Sequence, residues 1–215
     1  MAAAIFLHEQ LYRGQEVLAR LATMRITLCG AGALGSNLAD TLVRQGAAAL
    51  RAIDHDRVEE HNVSTQLYTQ TDIGAWKVEA LRKQLFRATG IEIDAVRREL
   101  TEANARNLLK ESDLIVDCFD NSAARTLVQN FARVQKVPAL HVGLHSDYCE
   151  AIWDEQYRVP ADVGGDVCEY PLARNIVLLA VVIAAEAVIG FVQNGQRVSR
   201  SATLGDMAVR LVEPA

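Results

Sequence analysis

Met24-Arg25-Ile26-Thr27-Leu28-Cys29-Gly30-Ala31-Gly32-Ala33-Leu34-Gly35 is an apolar run that ends in G-x-G-x-x-G and passes directly into a helical pattern, Leu34 to Gln45, closed by Gly46. The run before the glycines has the length and side chains of a buried strand, and the pattern after them has helical period. Glycines at such a turn let backbone N–H groups and a helix N-terminus approach an anion without side chains in the way. Ala48 to Ile53 supplies the next strand, so Met24 to Asp54 reads as one βαβ unit with parallel strands and a right-handed crossover. Asp54 lies 19 residues beyond Gly35 at the end of that strand, where a carboxylate can accept hydrogen bonds from ribose hydroxyls. A nucleotide site is expected at this turn.

The alternation continues outward. Ala75 to Ala88 reads as an amphipathic helix with Val78, Leu81 and Leu85 inward, followed by a strand at Ile91 to Val96 and a helix at Glu102 to Lys110. Asp113 to Cys118 reads as a buried strand, Ser122 to Gln135 as a helix and Pro138 to Val142 as a strand. This pattern predicts a Rossmann-like, doubly wound α/β fold with a mainly parallel sheet, whose ligands bind at the carboxyl ends of the strands. After Val142 the runs shorten: β-like stretches at Tyr148 to Trp153 and Gln156 to Val159, a polar loop at Ala161 to Cys168, an apolar helix at Ile176 to Val192 and a last strand at Met207 to Val212. They are expected as additional C-terminal strands and a helix on the same sheet. With no repeat and no Pro- or Ser-rich linker, residues 1–215 read as a single domain.

Composition narrows the function classes. Half of the 215 residues are hydrophobic and 23% are charged, which excludes collagen-like, coiled-coil and wholly disordered chains. Lys plus Arg number 22 against 27 Asp plus Glu, a formal charge of -5, so no basic surplus exists to replace the counterions of a nucleic acid. The four cysteines, Cys29, Cys118, Cys149 and Cys168, form no C-x-x-C pair, so neither a disulfide framework nor a structural zinc site is expected, and a reducing cytoplasm fits best. The first residues lack the basic and apolar regions of an export signal. Ile176 to Val192 approaches the apolar length of a membrane span, but Glu186 lies inside it, and a buried core or dimer-interface helix is expected instead of a membrane segment.

The Gly-rich turn alone serves NAD and ATP equally, so an NAD(P)-dependent oxidoreductase stays open at this point. Three further segments separate the two: Asp54-His55-Asp56-Arg57-Val58-Glu59-Glu60-His61-Asn62-Val63-Ser64-Thr65-Gln66-Leu67-Tyr68, then Gly74-Ala75-Trp76-Lys77, then Asp117-Cys118-Phe119-Asp120-Asn121 with Arg125. From about Leu7 to Val192 the chain resembles the ThiF/MoeB/HesA family, the ubiquitin-activating-enzyme-like adenylyltransferases. The resemblance implies ATP with Mg2+, and a partner protein, ubiquitin-like or a sulfur carrier ending in Gly-Gly. Its terminal carboxylate would attack the α-phosphate to give an acyl adenylate and pyrophosphate. It further implies that Gly30, Gly32, Leu34 and Gly35 meet the nucleotide, that Asp54 holds the ribose, and that Asn62, Gln66 and Lys77 face the phosphates. Asp120 would hold Mg2+, Asp56 and Asn121 would support the nucleotide loop, and Cys168 would take over the acyl group as a thioester or persulfide. A homodimer is expected, as in relatives.

Plainer readings stand beside these. Asn62 and Asn121 fit turns, Lys77 fits a solvated helix start, Asp117 fits an anchor for the loop after its strand, and Cys29, Cys118 and Cys149 fit the core. A hydrolase with paired acids is the weaker reading because no His is placed by sequence to work with Asp117 and Asp120, and His141 and His145 lack partners at metal-ligand spacing. Trp153, Tyr157 and Tyr170 fit either a core or a groove for an extended peptide tail. Two positions depart from the family pattern. Where it reads N-L-x-R-Q, Asn62 to Gln66 puts Thr65 in place of the arginine, and Glu9 stands near the place of an N-terminal arginine. Arg13, Arg20 or a partner chain would have to compensate; otherwise the chain reads as a catalytically weakened pseudoenzyme subunit.

Overall fold

A computed structural model describes residues 4–161 and 171–213. Eight strands form one sheet in the order β3-β2-β1-β4-β5-β6-β7-β8. β1 (Ile26–Cys29), β2 (Leu50–Ile53), β3 (Asp94–Val96), β4 (Leu114–Asp117) and β5 (Ala139–His145) pair in parallel. β6 (Tyr148–Trp153), β7 (Arg200–Thr203) and β8 (Val209–Leu211) extend the sheet antiparallel from β5. The expected doubly wound sheet with added C-terminal strands is the observed one.

The chain winds outward from β1 through β2 to β3, then returns to lay β4 on the other side of β1. At that reversal the connections after β1 and β4 leave in opposite directions, opening a crevice at the carboxyl ends of both strands. β1 and β4 consist wholly of buried residues, as expected for strands covered on both faces.

Two helical layers cover the sheet. On one face lie α3 (Ala33–Arg44), α4 (Lys77–Thr89) and α7 (Arg174–Asn194), whose apolar side chains join Leu28, Val116 and Leu140 in the larger core. On the other, α5 (Glu102–Leu109) and α6 (Ser122–Gln135) close a smaller core around Cys29, Ile53, Ile115 and Val128. α7 is long and apolar enough to cross a membrane, with mean hydropathy 2.5, yet 61% of its apolar window is buried. It packs on β5, β6 and β7 and against α2 and α3. Being covered by sheet on one side and helices on another requires a helix apolar over most of its circumference.

Three features depart from the expectations. α1 (Leu7–Arg13) and α2 (Gln15–Thr23) precede β1, and α2 buries Val17, Leu18 and Leu21 at helical spacing. β7 escaped notice because Arg200–Thr203 is short and carries polar residues. Gln156 to Val159 is not a strand: the Tyr157 N–H donates to the Trp153 and Asp154 carbonyls, which makes a turn, and no ladder forms. Its aromatic side chain serves a different purpose, described below.

Candidate functional site

The glycines of the first turn have different duties. Gly30 adopts φ +97°, and a Cβ there would lie 3.1 Å from the Cys118 carbonyl oxygen. A Cβ on Gly35 would come within 1.9 Å of the Gly30 carbonyl oxygen, so this glycine lets α3 start close under the turn. Gly32 meets nothing within 4 Å and has φ -76°. The fold does not demand a glycine at Gly32; the open space leaves the start of α3 approachable, and no side chain caps its first N–H groups.

A cleft of about 460 Å3 opens in front of this turn. It gathers Gly30, Gly32, Asp54, Asp56, Lys77, Asp120 and Asn121 from the expected set. Asp54, at the end of β2, is 7% exposed; its Oδ2 accepts from the Ala31 N–H at 2.7 Å and its Oδ1 from the Asp56 N–H at 2.7 Å. Burial pushes its carboxyl above the usual carboxylate range, against the pull of Lys77 and these two N–H groups. Lys77 opens α4 and is buried, with Nζ 2.9 Å from Asp56 Oδ2. It is therefore a fixed cation on the cleft wall and not a solvated helix start.

Asp120 lies exposed three residues past β4, approached by Asn121 Nδ2 at 3.5 Å. Asn121 is the N-cap of α6, its Oδ1 accepting from the Ala124 N–H at 2.8 Å, so the turn reading of this residue is realised. An uncommitted carboxylate facing a cleft fits Mg2+, which takes one or two carboxylates and completes its oxygen shell with water and phosphate.

Leu34, Gly35, Asn62 and Gln66 lie outside the cleft lining. Leu34 packs in the larger core. Asn62 is buried and its Oδ1 accepts from the Glu59 N–H at 2.9 Å, a turn role. Gln66 has its Oε1 buried without a hydrogen-bond partner. This segment is stitched to the first turns of α3: Asn37 Nδ2 donates to the Thr65 carbonyl at 2.9 Å and the Leu67 N–H to Ser36 Oγ at 3.1 Å. Thr65 is buried. Arg13 is bound to Glu186 at 2.6 Å and to Glu9 at 2.7 Å, and Arg20 to Glu16 at 2.5 Å and the Gln193 carbonyl at 2.9 Å. Both arginines are thus engaged away from the cleft. Cys168 and Tyr170 lie outside the described residues.

Sequence reasoning missed a buried polar network behind β4. Asp117 Oδ2 meets His141 Nδ1 at 2.8 Å, and His141 Nε2 meets Asp154 Oδ1 at 3.3 Å. Burial alone would lower the His141 pKa, but the two carboxylates outweigh it and hold it above the ordinary histidine value. Tyr157 stacks on the imidazole with centroids 3.9 Å apart and 7° between planes, and its hydroxyl accepts from Arg125 Nη1 at 2.9 Å. Trp153 and Tyr157 are thus core residues, 1% and 5% exposed, and do not line a peptide groove. Asp117 Oδ1 accepts from the Phe119 N–H at 3.1 Å, the anchoring role expected of it. Asp117 and His141 are cross-strand partners in the β4–β5 register. A polar residue inside each of two consecutive apolar strands was the signal available, and it places a His beside the acid after all.

The model of the ThiF family matches residues 7–152. The chain belongs to the ThiF family. Among curated members, the sulfur carrier protein adenylyltransferase of Thermus thermophilus is 35% identical over 121 residues, covering 55% of this chain and 45% of that relative. The sulfur carrier protein ThiS adenylyltransferase of Bacillus subtilis is 31% identical over 126 residues, covering 57% of this chain and 38% of the relative. The match thus takes in less than half the length of either relative. Among solved structures, E. coli MccB with ATP superposes with a TM-score of 0.80 at 15% identity, covering 99% of this chain and 72% of that one. PaaA superposes with a TM-score of 0.78 at 17% identity, covering 97% of this chain and 71% of that one. At such identities these two bear on the fold alone.

Proposed function

We propose that this chain binds ATP with Mg2+ in the cleft and adenylates the C-terminal carboxylate of a small partner protein, ubiquitin-like or a sulfur carrier, ending in Gly-Gly. The observation that carries the reading is the open approach at Gly32 to the start of α3, in one cleft with a fixed cation, Lys77, and an uncommitted carboxylate, Asp120. Nucleotide phosphates at that turn would lie against backbone N–H groups and the positive end of α3. Asp54, half-consumed by Ala31 and Asp56, keeps lone pairs for the ribose hydroxyls. The carboxylate oxygen forms a bond to the α-phosphorus while the bond to the bridging oxygen breaks, and pyrophosphate carries the electron pair away. Lys77 offsets the charge that builds on the phosphate oxygens. Asp120 would hold Mg2+, which would supply further charge neutralisation.

The same reading extends to transfer of the acyl group to Cys168, to a homodimer, to one domain over residues 1–215 and to a cytoplasmic setting. The first two rest on the sequence resemblance, the single domain on the lack of a repeat or a Pro- or Ser-rich linker, and the cytoplasmic setting on the scattered cysteines. A second reading, a subunit that holds the fold for an active partner, draws support from the buried Thr65 and from the engagement of Arg13 and Arg20.

Isotope exchange between pyrophosphate and ATP, with purified chain and a carrier ending in Gly-Gly, tests the proposal. Exchange is expected with the wild type and a loss of 100-fold or more, on the order of electrostatic transition-state effects, with Lys77→Ala or Asp120→Ala. ATP binding without exchange favours the weakened subunit. Thermal stabilisation by NAD and not by ATP would reject both for an oxidoreductase.

A further inference from the structure

We propose that His141 is a positioning residue for the cleft: stacked on Tyr157, it holds both ends of the loop from Cys118 to Asn121 and so fixes where Asp120 presents its carboxylate. The anchoring of the loop is independent of any ligand; its use for a metal-bound nucleotide rests on the ATP reading above.

Cys118, Phe119, Asp120 and Asn121 all line the cleft. Asp120 is exposed, so its place follows from the backbone on either side of it. β4 ends at Asp117, where the loop starts, and α6 begins at Ser122, where it stops.

At the first end, Asp117 divides its carboxylate between the loop and the histidine. Oδ1 accepts from the Phe119 N–H at 3.1 Å, and Oδ2 meets His141 Nδ1 at 2.8 Å. At the other end, Asn121 caps α6, and Arg125, one turn further on, is buried. Its Nη1 donates to the Tyr157 hydroxyl and its Nη2 to the Val142 carbonyl, both at 2.9 Å, and Nη1 also lies 3.6 Å from Asp117 Oδ2. Gln129 and Arg133 continue this stripe at four-residue spacing on one face of α6. Gln129 Nε2 donates to the Tyr157 carbonyl at 3.2 Å and Arg133 Nε to Asp154 Oδ2 at 2.9 Å. Helix α6 therefore rests on the turn from Asp154 to Tyr157. That turn rests on His141, through the ring stack and through the 3.3 Å approach of Nε2 to Asp154 Oδ1. His141 is the side chain that touches both halves of the clamp.

His141 is 0% exposed, so it acts on the cleft only through these neighbours. Stability alone does not call for it: an apolar pair at these two cross-strand positions would pack about as well as a buried ion pair. The imidazole adds direction, because a ring that meets one carboxylate through each nitrogen has its orientation set.

The test takes two readings on the full chain, for wild type, His141→Gln, Tyr157→Phe and, as a control weakened elsewhere in the core, Leu21→Ala. One is amide hydrogen exchange of residues 118–121 without ligand; the other is the Mg2+ concentration that gives half-maximal ATP binding. In His141→Gln the segment should exchange roughly tenfold faster, beyond any change in β1, and the Mg2+ midpoint should rise roughly tenfold, the lower end of the range for groups that orient metal ligands. Tyr157→Phe removes one hydroxyl and keeps the ring, so it should shift both readings the same way by a smaller factor; it decides the matter should His141→Gln not fold. Adenosine affinity should stay within twofold, since adenosine brings no phosphate to share a metal with Asp120. Unchanged exchange in His141→Gln, or a change that Leu21→Ala reproduces, overturns the inference. Faster exchange with an unmoved Mg2+ midpoint also overturns it, because something else would then place Asp120. A wild type that binds no ATP overturns the ATP reading, and the exchange comparison still judges the anchoring of the loop.

Discussion

Gly32 and Gly35 sit three residues apart and answer to different masters. A methyl group on Gly35 collides with the Gly30 carbonyl at 1.9 Å, so Gly35→Ala has to push α3 away from the turn. We expect it to lose about 1–3 kcal/mol, the usual cost of overpacking, read as a lower urea midpoint. Gly32→Ala meets open space and should cost under about 1 kcal/mol, most of it from a poorer helix cap. Its ATP affinity should nevertheless drop about tenfold or more, because the added methyl occupies the approach to the N–H groups. Equal ATP binding by wild type and Gly32→Ala would deny phosphates a place at this turn. Asp54, Lys77 and Asp120 were legible in the sequence because each follows a strand or opens a helix at a motif position. The Asp117–His141 pair was not, since it exists only once β4 and β5 lie side by side in register.

Most elements with strong period were read to within a few residues; α2 was missed although Val17, Leu18 and Leu21 lie at helical spacing, and β7, which has no such period, was lost as well. Strands β1, β2, β4 and β5 announced themselves as apolar runs bounded by turns, and α4 and α6 by their stripes. β7 reads Arg-Ser-Ala-Thr, with no apolar signal, and takes its place by pairing with β6. Gln156 to Val159 failed for the opposite reason: Tyr157 looked like a strand residue but is claimed by a ring stack on His141. Helix α6 illustrates how one residue serves two levels. Asn121 caps it through the Ala124 N–H, so Asn121→Ala should remove about 1 kcal/mol of stability whatever its part in nucleotide binding. Asn121→Asp keeps the acceptor and should restore the thermal midpoint; a midpoint unchanged in Asn121→Ala would mean that the cap contributes nothing.

Across the whole molecule, the Asp117–His141–Asp154 chain ties β4, β5 and the exit of β6 together beneath the cleft. The folded state raises the His141 pKa, so its contribution is fully present below the unfolded histidine value, about 6.5, and is lost as pH rises through the folded value. Asp54, also raised, acts in the same direction from the carboxylate range upward. Asp154, which is lowered, contributes above the ordinary carboxylate value and loses that contribution in acid. The denaturation midpoint should therefore decline as pH rises above about 6.5 and through the folded histidine value, and His141→Gln should be less stable with a flatter profile. A wild-type midpoint that climbs over this range would contradict the assignment of an imidazolium between two carboxylates. The position of α7 has a consequence for how the chain is made. It is the lid of the larger core, yet it follows every strand except β7 and β8. During synthesis β5 and β6 leave the ribosome before the helix that covers them, so a nascent chain halted before Arg174 shows bare apolar surface beside α3 and is expected to be a client for chaperones until the last helix arrives.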